Sequence, residues 1–194
     1  MPSKLNIGYI YRTTRALGPG KRYVVWLRGC QRRCPGCASP ELRDASPENW
    51  VPVREIVKSI SLTKGIDGVT VSGGEPLLQS ESLGELLRDV RARRPELSVI
   101  LFTGYKIEEL PQASREEVIP YVDLLVDGEY VASLNDGFGL RGSSNQRFLF
   151  LTDKLLPYKE ELEKGERKRE MHLLSDYELL TIGIPPVVTK QNNG

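Results

Sequence analysis

Three cysteines fall within eight residues, in the run Gly29-Cys30-Gln31-Arg32-Arg33-Cys34-Pro35-Gly36-Cys37, and the chain has no others. C-x3-C-x2-C spacing in a Gly/Pro loop gathers three soft thiolate ligands in one place, which points to metal or redox chemistry. Ordinary iron–sulfur sites use four thiolates. Three thiolates on a cubane leave one iron without a protein ligand, and a small molecule bearing an amine and a carboxylate can chelate it. The methionine end of S-adenosylmethionine has both groups. A structural zinc site needs four ligands. The single histidine, His172, would have to be the fourth, and nothing in its spacing supports that. An odd, clustered set of cysteines is not a secreted disulfide framework.

A second constellation is Ser72-Gly73-Gly74-Glu75-Pro76, placed between a strand pattern and a helix pattern. Glycines at a strand end let backbone approach a ligand closely, and ligands of parallel α/β folds sit at the carboxyl ends of strands. Glu75 adds an acceptor suited to an ammonium group; read structurally, the motif is a tight turn. Thr103 and Asp127 stand at two further strand ends, each readable as a ligand contact or as a turn residue. In Arg141-Gly142-Ser143-Ser144-Asn145-Gln146-Arg147, turn formers lie between two arginines. The segment reads equally as a pinned structural turn or as a donor-rich loop, with Arg141 and Ser143 as candidate contacts.

The elements that must position these groups follow from periodicity. Tyr23 to Leu27 reads as a strand that runs straight into the cysteine loop, and residues 29 to 52 read as a long loop. Val53, Ile56, Val57 and Ile60 recur at helical spacing, as do Leu83, Leu86, Leu87 and Val90. Ser82 and Glu85 have capping-box spacing, with a start one turn earlier also allowed. Val69 to Val71, Ser98 to Phe102, Asp123 to Val126, Phe148 to Leu151 and Leu179 to Ile184 read as strands, with a short helix near Arg115 to Ile119. Strands alternating with helices imply βαβ units and a parallel sheet. Residues 153–172 are rich in Lys, Glu and Arg, and read as a charged hairpin or mobile connection.

The chain has 194 residues, which suits a single domain, 1–194. Its 27 basic and 26 acidic residues nearly cancel, so no global field draws it to nucleic acid or to a membrane. No apolar run reaches the ~20 residues of a membrane span, and the first residues do not form a signal peptide. The expected location is cytoplasmic.

The cysteine loop and the Gly-Gly-Glu-Pro turn, in this order, resemble the radical S-adenosylmethionine superfamily. That resemblance implies a partial (β/α)6 barrel, a [4Fe-4S] cluster on Cys30, Cys34 and Cys37, and S-adenosyl-L-methionine held at Gly73, Gly74 and Glu75. Phe102-Thr103-Gly104-Tyr105, Asp123 to Gly128 and Arg141 to Arg147 look like segments of the activating component of the anaerobic ribonucleoside-triphosphate reductase. This second likeness runs from about residue 24 to 150 and implies glycyl-radical installation. In that scheme a 5′-deoxyadenosyl radical takes a hydrogen from a glycine of a large reductase subunit, with a flavodoxin or ferredoxin-type electron donor. Thr103, Asp127, Arg141 and Ser143 would touch the cofactor, or a monovalent cation in the case of the first two. The family places an aromatic residue and an Asn after the third cysteine, where this chain has Ala38 and Ser39. The alternatives are another glycyl-radical enzyme, a peptide or a small metabolite as substrate, or a non-catalytic zinc module.

Overall fold

The computed structural model describes residues 3–175 and 178–186. Its main sheet has seven strands in the order β3-β1-β2-β4-β5-β6-β7. The centre is β2 (Arg22–Leu27), β4 (Gly68–Gly73), β5 (Ser98–Thr103) and β6 (Leu124–Asp127). These four run parallel and neighbour one another in chain order. Three strands flank them through antiparallel pairs: β1 (Lys4–Thr14) beside β2, β3 (Trp50–Pro52) beside β1, and β7 (Arg147–Phe150) beside β6. The architecture is mixed α/β with a parallel-rich sheet. Four parallel strands stand where the resemblance implied six βα units.

Both faces of the central strands are buried, so alternate residues enter two different cores. Tyr23, Val25 and Leu27 of β2, Val99 and Leu101 of β5, and Leu125 of β6 face the helices. Against them pack α1 (Val53–Leu62) through Val53, Ile56, Val57 and Ile60, and α2 (Ser80–Arg93) through Leu83, Leu86, Leu87 and Val90. These are the two stripes expected from periodicity; each buried side chain contributes about 1.5–3 kcal/mol. α2 starts at Ser80, and Ser82 lies inside its first turn rather than at the cap. The reason is a 3-10 turn over Pro76–Gln79 that runs directly into the helix, and its own cap is the Glu75 carboxylate. α3 (Gln112–Val118) begins three residues before the expected Arg115.

Val24, Ile100, Leu124 and Val126 face the other way, into a second core with Leu17, Leu140, Leu155, Leu162 and Ile182. This core is covered by the charged segment. Asp153–Tyr158 forms a 3-10 stretch and Lys159–Lys164 forms α4, with Leu155 and Leu162 turned inward and the charges outward. The chain then forms a hairpin of β8 (Glu170–Ser175) and β9 (Glu178–Ile182), a separate two-stranded sheet. The expected strand at 179–184 is therefore a hairpin arm and not part of the main sheet. The hairpin is tied to β1: Glu170 accepts from the Thr14 hydroxyl at 2.7 Å and from the Arg15 amide at 2.7 Å. His172 bridges Glu170 and the Tyr11 hydroxyl.

Arg22, at the amino end of β2, is fully buried, and its guanidinium donates to the Thr70 and Ser98 hydroxyls and to the Val69 and Ser98 carbonyls. Burial pushes its pKa down, with Asp123 and Asp67 opposing. Among the described residues, no helix is long and apolar enough to cross a membrane.

Candidate active site

The site lies at the carboxyl ends of the parallel strands. The loop after β2 carries the cysteines, and its backbone is fixed at several points. The Gly29 amide donates to the Leu42 carbonyl at 2.9 Å, the Cys30 amide to the Arg43 carbonyl at 2.7 Å, and the Arg43 guanidinium to the Cys34 carbonyl at 3.1 Å.

The loop after β4 is locked to the same segment. The Gly74 amide donates to the Leu27 carbonyl at 2.8 Å and the Glu75 amide to the Gly29 carbonyl at 2.7 Å. Gly73 has φ +125, and a Cβ there would lie 2.2 Å from the Leu27 carbonyl oxygen. A Cβ on Gly74 would lie 2.4 Å from the Gly29 oxygen. Both glycines are thus required by the contact between the two loops, because only a residue without Cβ lets the backbones approach this closely.

Glu75 ties this pair of loops to the end of β5. It is 1% exposed. One carboxylate oxygen accepts from the Leu77 amide at 3.0 Å and the Thr103 hydroxyl at 2.9 Å; the other accepts from the Gly104 amide at 2.8 Å. Burial pushes its pKa up, against the pull of these donors and of Arg32.

The three cysteines are part-exposed and line one cavity of about 480 Å³, together with Gly73, Gly74, Glu75, Thr103 and Gly104. That volume lies within the usual range of cofactor and ligand sites. Trp26 and Phe102, from the second face of β2 and β5, form an apolar wall with Leu17 and Tyr9. Burial pushes the Cys30 and Cys34 thiols up. The backbones of Arg32 and Tyr130 oppose that shift, while Glu129, whose carboxylate accepts from the Cys34 thiol at 3.5 Å, adds to it at Cys34. Deprotonation on metal binding would convert all three into thiolates.

The donor set distinguishes a cluster from a single ion. A zinc ion needs its ligands converging on one point. Among the described residues, no group of three His, Cys, Asp or Glu side chains converges in that way. His172, the only available nitrogen ligand, is bound to Tyr11 and Glu170 in the hairpin. The zinc reading therefore lacks its fourth ligand. Three thiols that line one cavity without converging on a point suit an iron–sulfur cluster better than a single ion.

The structure does not bring every candidate residue to the cavity. Asp127 is fully buried, not among the lining residues, and paired with Arg147 through both oxygens, at 2.8 and 2.5 Å. It also accepts from the Ile107 amide. With Thr103 turned to Glu75 and Asp127 to Arg147, the two do not surround a common cation. Arg141 is paired with Asp136 at 3.0 Å, and Ser143 is fully buried, accepting from the Val131 amide. Within this segment Gln146 accepts from the Gly142 and Ser143 amides and donates to the Gly128 carbonyl. The Arg141–Arg147 segment is thus a turn bonded to neighbouring loops, and only Gly142 and Gln146 from it reach the cavity.

Other lining residues had no reading from sequence. Arg32 stacks over the Tyr105 ring at 4.3 Å and pairs with Glu129 at 3.2 Å and Glu109 at 3.5 Å, clamping the cysteine loop to the ends of β5 and β6. Its place between two cysteines was the available signal. Trp26 and Phe102 could have been found from strand alternation. Arg169 and residues 180–185 of the hairpin region gave none, because their proximity is tertiary.

Comparison with known proteins agrees with this geometry. A family model described as a 4Fe-4S single cluster domain matches residues 16–149. The anaerobic ribonucleoside-triphosphate reductase-activating protein of Enterobacteria phage T4 is 35% identical over 154 residues, covering 77% of this chain and 96% of the phage protein. The protein of the same name from Escherichia coli K12 is 31% identical over 149 residues, covering 73% of this chain and 96% of its own length. A pyruvate formate-lyase-activating enzyme from Staphylococcus epidermidis is 32% identical over 152 residues, but only 60% of it is covered. The chain belongs to the enzyme family of the anaerobic ribonucleoside-triphosphate reductase-activating proteins.

Proposed function

We propose that this protein is a radical S-adenosylmethionine enzyme that installs a glycyl radical on an anaerobic ribonucleotide reductase. The observation that carries the reading is the shared cavity: the cysteine triad and the Gly73-Gly74-Glu75 turn line one site, in a chain of this family. The sequential parallel order β2-β4-β5-β6 supports a partial barrel of the superfamily type, with the whole chain as one domain.

Cys30, Cys34 and Cys37 would hold three irons of a [4Fe-4S] cluster and leave the fourth for the amine and carboxylate of S-adenosylmethionine. Held by these cysteines, a cluster would supply one electron, received from a flavodoxin or ferredoxin-type donor, for reductive cleavage of S-adenosylmethionine to methionine and a 5′-deoxyadenosyl radical able to take a hydrogen from glycine. The chain's own residues do the positioning. Glu75 holds the glycine turn against the cysteine loop and the β5 end; a carboxylate has about four acceptor directions, so one remains for the ammonium group. Leu17, Trp26 and Phe102 keep water from the reacting region.

Nearly full coverage of the reductase activators, against 60% of the pyruvate formate-lyase activator, favours the reductase as partner. The test is to mix reduced protein, S-adenosylmethionine and the anaerobic reductase of the same organism without oxygen. The doublet of a glycine-centred radical is expected in the magnetic resonance spectrum. S-adenosylmethionine cleavage without that doublet would point to a different substrate.

A further inference from the structure

The family match ends at residue 149, yet the hairpin beyond it contributes to the cavity that holds the cysteines. Leu180, Thr181, Gly183, Ile184 and Pro185 all line it. Of these, Leu180 and Thr181 are consecutive in β9 and the other three follow the strand. Side chains of a strand alternate between faces, so two consecutive residues lining one cavity bring the strand's edge to it, and no described residue of β8 lines it. β9 is paired on one side by β8, and among the described residues no other strand pairs with it. The inner face of the hairpin is held down by Ile182, which is fully buried in the second core, and by the contacts of Glu170 and His172 to β1. The cavity is therefore bordered by an anchored strand whose second edge pairs with no strand among the described residues.

We propose that this β9 edge is the receptor for the glycine-bearing segment of the partner protein, which adds to it as an extended strand. The inference rests on the functional reading above and names how the substrate is gripped. Glycine offers its α-hydrogen but no side chain, so the enzyme must recognise it through the backbone on either side. A free strand edge does this, giving affinity and register through main-chain hydrogen bonds. Hydrogen transfer needs the α-carbon held in near-contact with the radical carbon, which register supplies. The occupant is an extended peptide segment because the edge and the cysteine triad belong to one cavity. A competing occupant is the adenine of S-adenosylmethionine, whose ring edge also pairs with backbone groups.

The experiment is amide hydrogen exchange on the full-length, anaerobically reconstituted protein, read at residues 179–184 in three states: alone, with S-adenosylmethionine, and with S-adenosylmethionine plus the reductase of the same organism. Exchange there is expected to slow by about tenfold or more only when the reductase is added. Protection already complete with S-adenosylmethionine alone overturns the proposal and assigns the edge to the cofactor. The same mixture is checked for the glycine-centred radical. A doublet with unchanged exchange at 179–184 overturns the edge while the functional reading stands. Neither doublet nor protection overturns both.

Discussion

Replacing Glu75 by Ala should unfold the apo-protein well below the wild-type temperature, independently of any cofactor. The carboxylate is 1% exposed and accepts from the Leu77 amide, the Gly104 amide and the Thr103 hydroxyl. Alanine leaves the two amides buried without acceptors, at about 1–3 kcal/mol each, while the hydroxyl can rotate. The expected loss is about 2–6 kcal/mol, a large part of the roughly 5–15 kcal/mol that holds an ordinary domain. For a chain of this size each kcal/mol shifts the midpoint by about 2–4 °C. Glu75→Gln keeps one carbonyl oxygen but turns an NH2 toward an N–H, so it should fall between the two, about 1–3 kcal/mol below wild type. Burial raises the native pKa of Glu75. The native state therefore binds this proton more tightly than the unfolded chain, and the contribution from this group falls as pH rises from the ordinary carboxylate range through the raised value. That part of the pH profile should vanish in Glu75→Gln. The assay is thermal unfolding followed by circular dichroism at several pH values. An Ala variant within about 1 kcal/mol of wild type would refute the role given to the Glu75 hydrogen bonds.

Two further predictions use the same geometry. Gly74→Ala places a Cβ against the Gly29 and Leu42 carbonyls, both backbone; overpacking of about 1–3 kcal/mol should displace the cysteine loop. Iron bound after reconstitution should drop sharply, with far-ultraviolet dichroism unchanged. Asp123 is fully buried; burial raises its pKa, but hydrogen bonds from Thr152, Arg91 and Val99 more than offset that and hold it below the usual carboxylate range. Its stabilisation is present above the unfolded pKa and lost as pH falls through the lowered native value. Asp123→Asn should cost about 3–5 kcal/mol near neutral pH, and urea unfolding should show the gap to wild type narrowing as pH falls below the ordinary carboxylate range.

The parallel strands and the two long helices were legible because each obeys one period over several residues. β1 was not: Leu5 and Ile7 alternate with Asn6 and Gly8, a short and weakly apolar pattern in a segment that also carries Arg12. The direction of β7 was hidden, since periodicity carries no sign, and its pairing to β6 depends on the turn that Gln146 closes. The cysteines and glycines were found because their chemistry is written in residue type and spacing. Asp127 and Arg147 are chemically suited to a ligand, but they stand opposite each other across the β6–β7 pair and satisfy each other there. Cross-strand register of that kind appears only once the sheet is built. The hairpin's share of the cavity was hidden for the same reason, since residues 180–185 meet the cysteine loop only in the folded chain.

Cys30, Cys34 and Cys37 are proposed to hold a four-iron cluster with one iron open to S-adenosylmethionine. The most direct test is the magnetic resonance spectrum of the anaerobically reconstituted, reduced protein, recorded with iron and sulfide analysis for the wild type and for Cys30→Ala, Cys34→Ala and Cys37→Ala. Expected are near-equal iron and sulfide at about four of each per chain, a reduced-cluster signal that changes when S-adenosylmethionine is added, and loss of that signal in every variant. A full cluster retained in Cys34→Ala, or a wild-type signal indifferent to S-adenosylmethionine, would contradict that assignment.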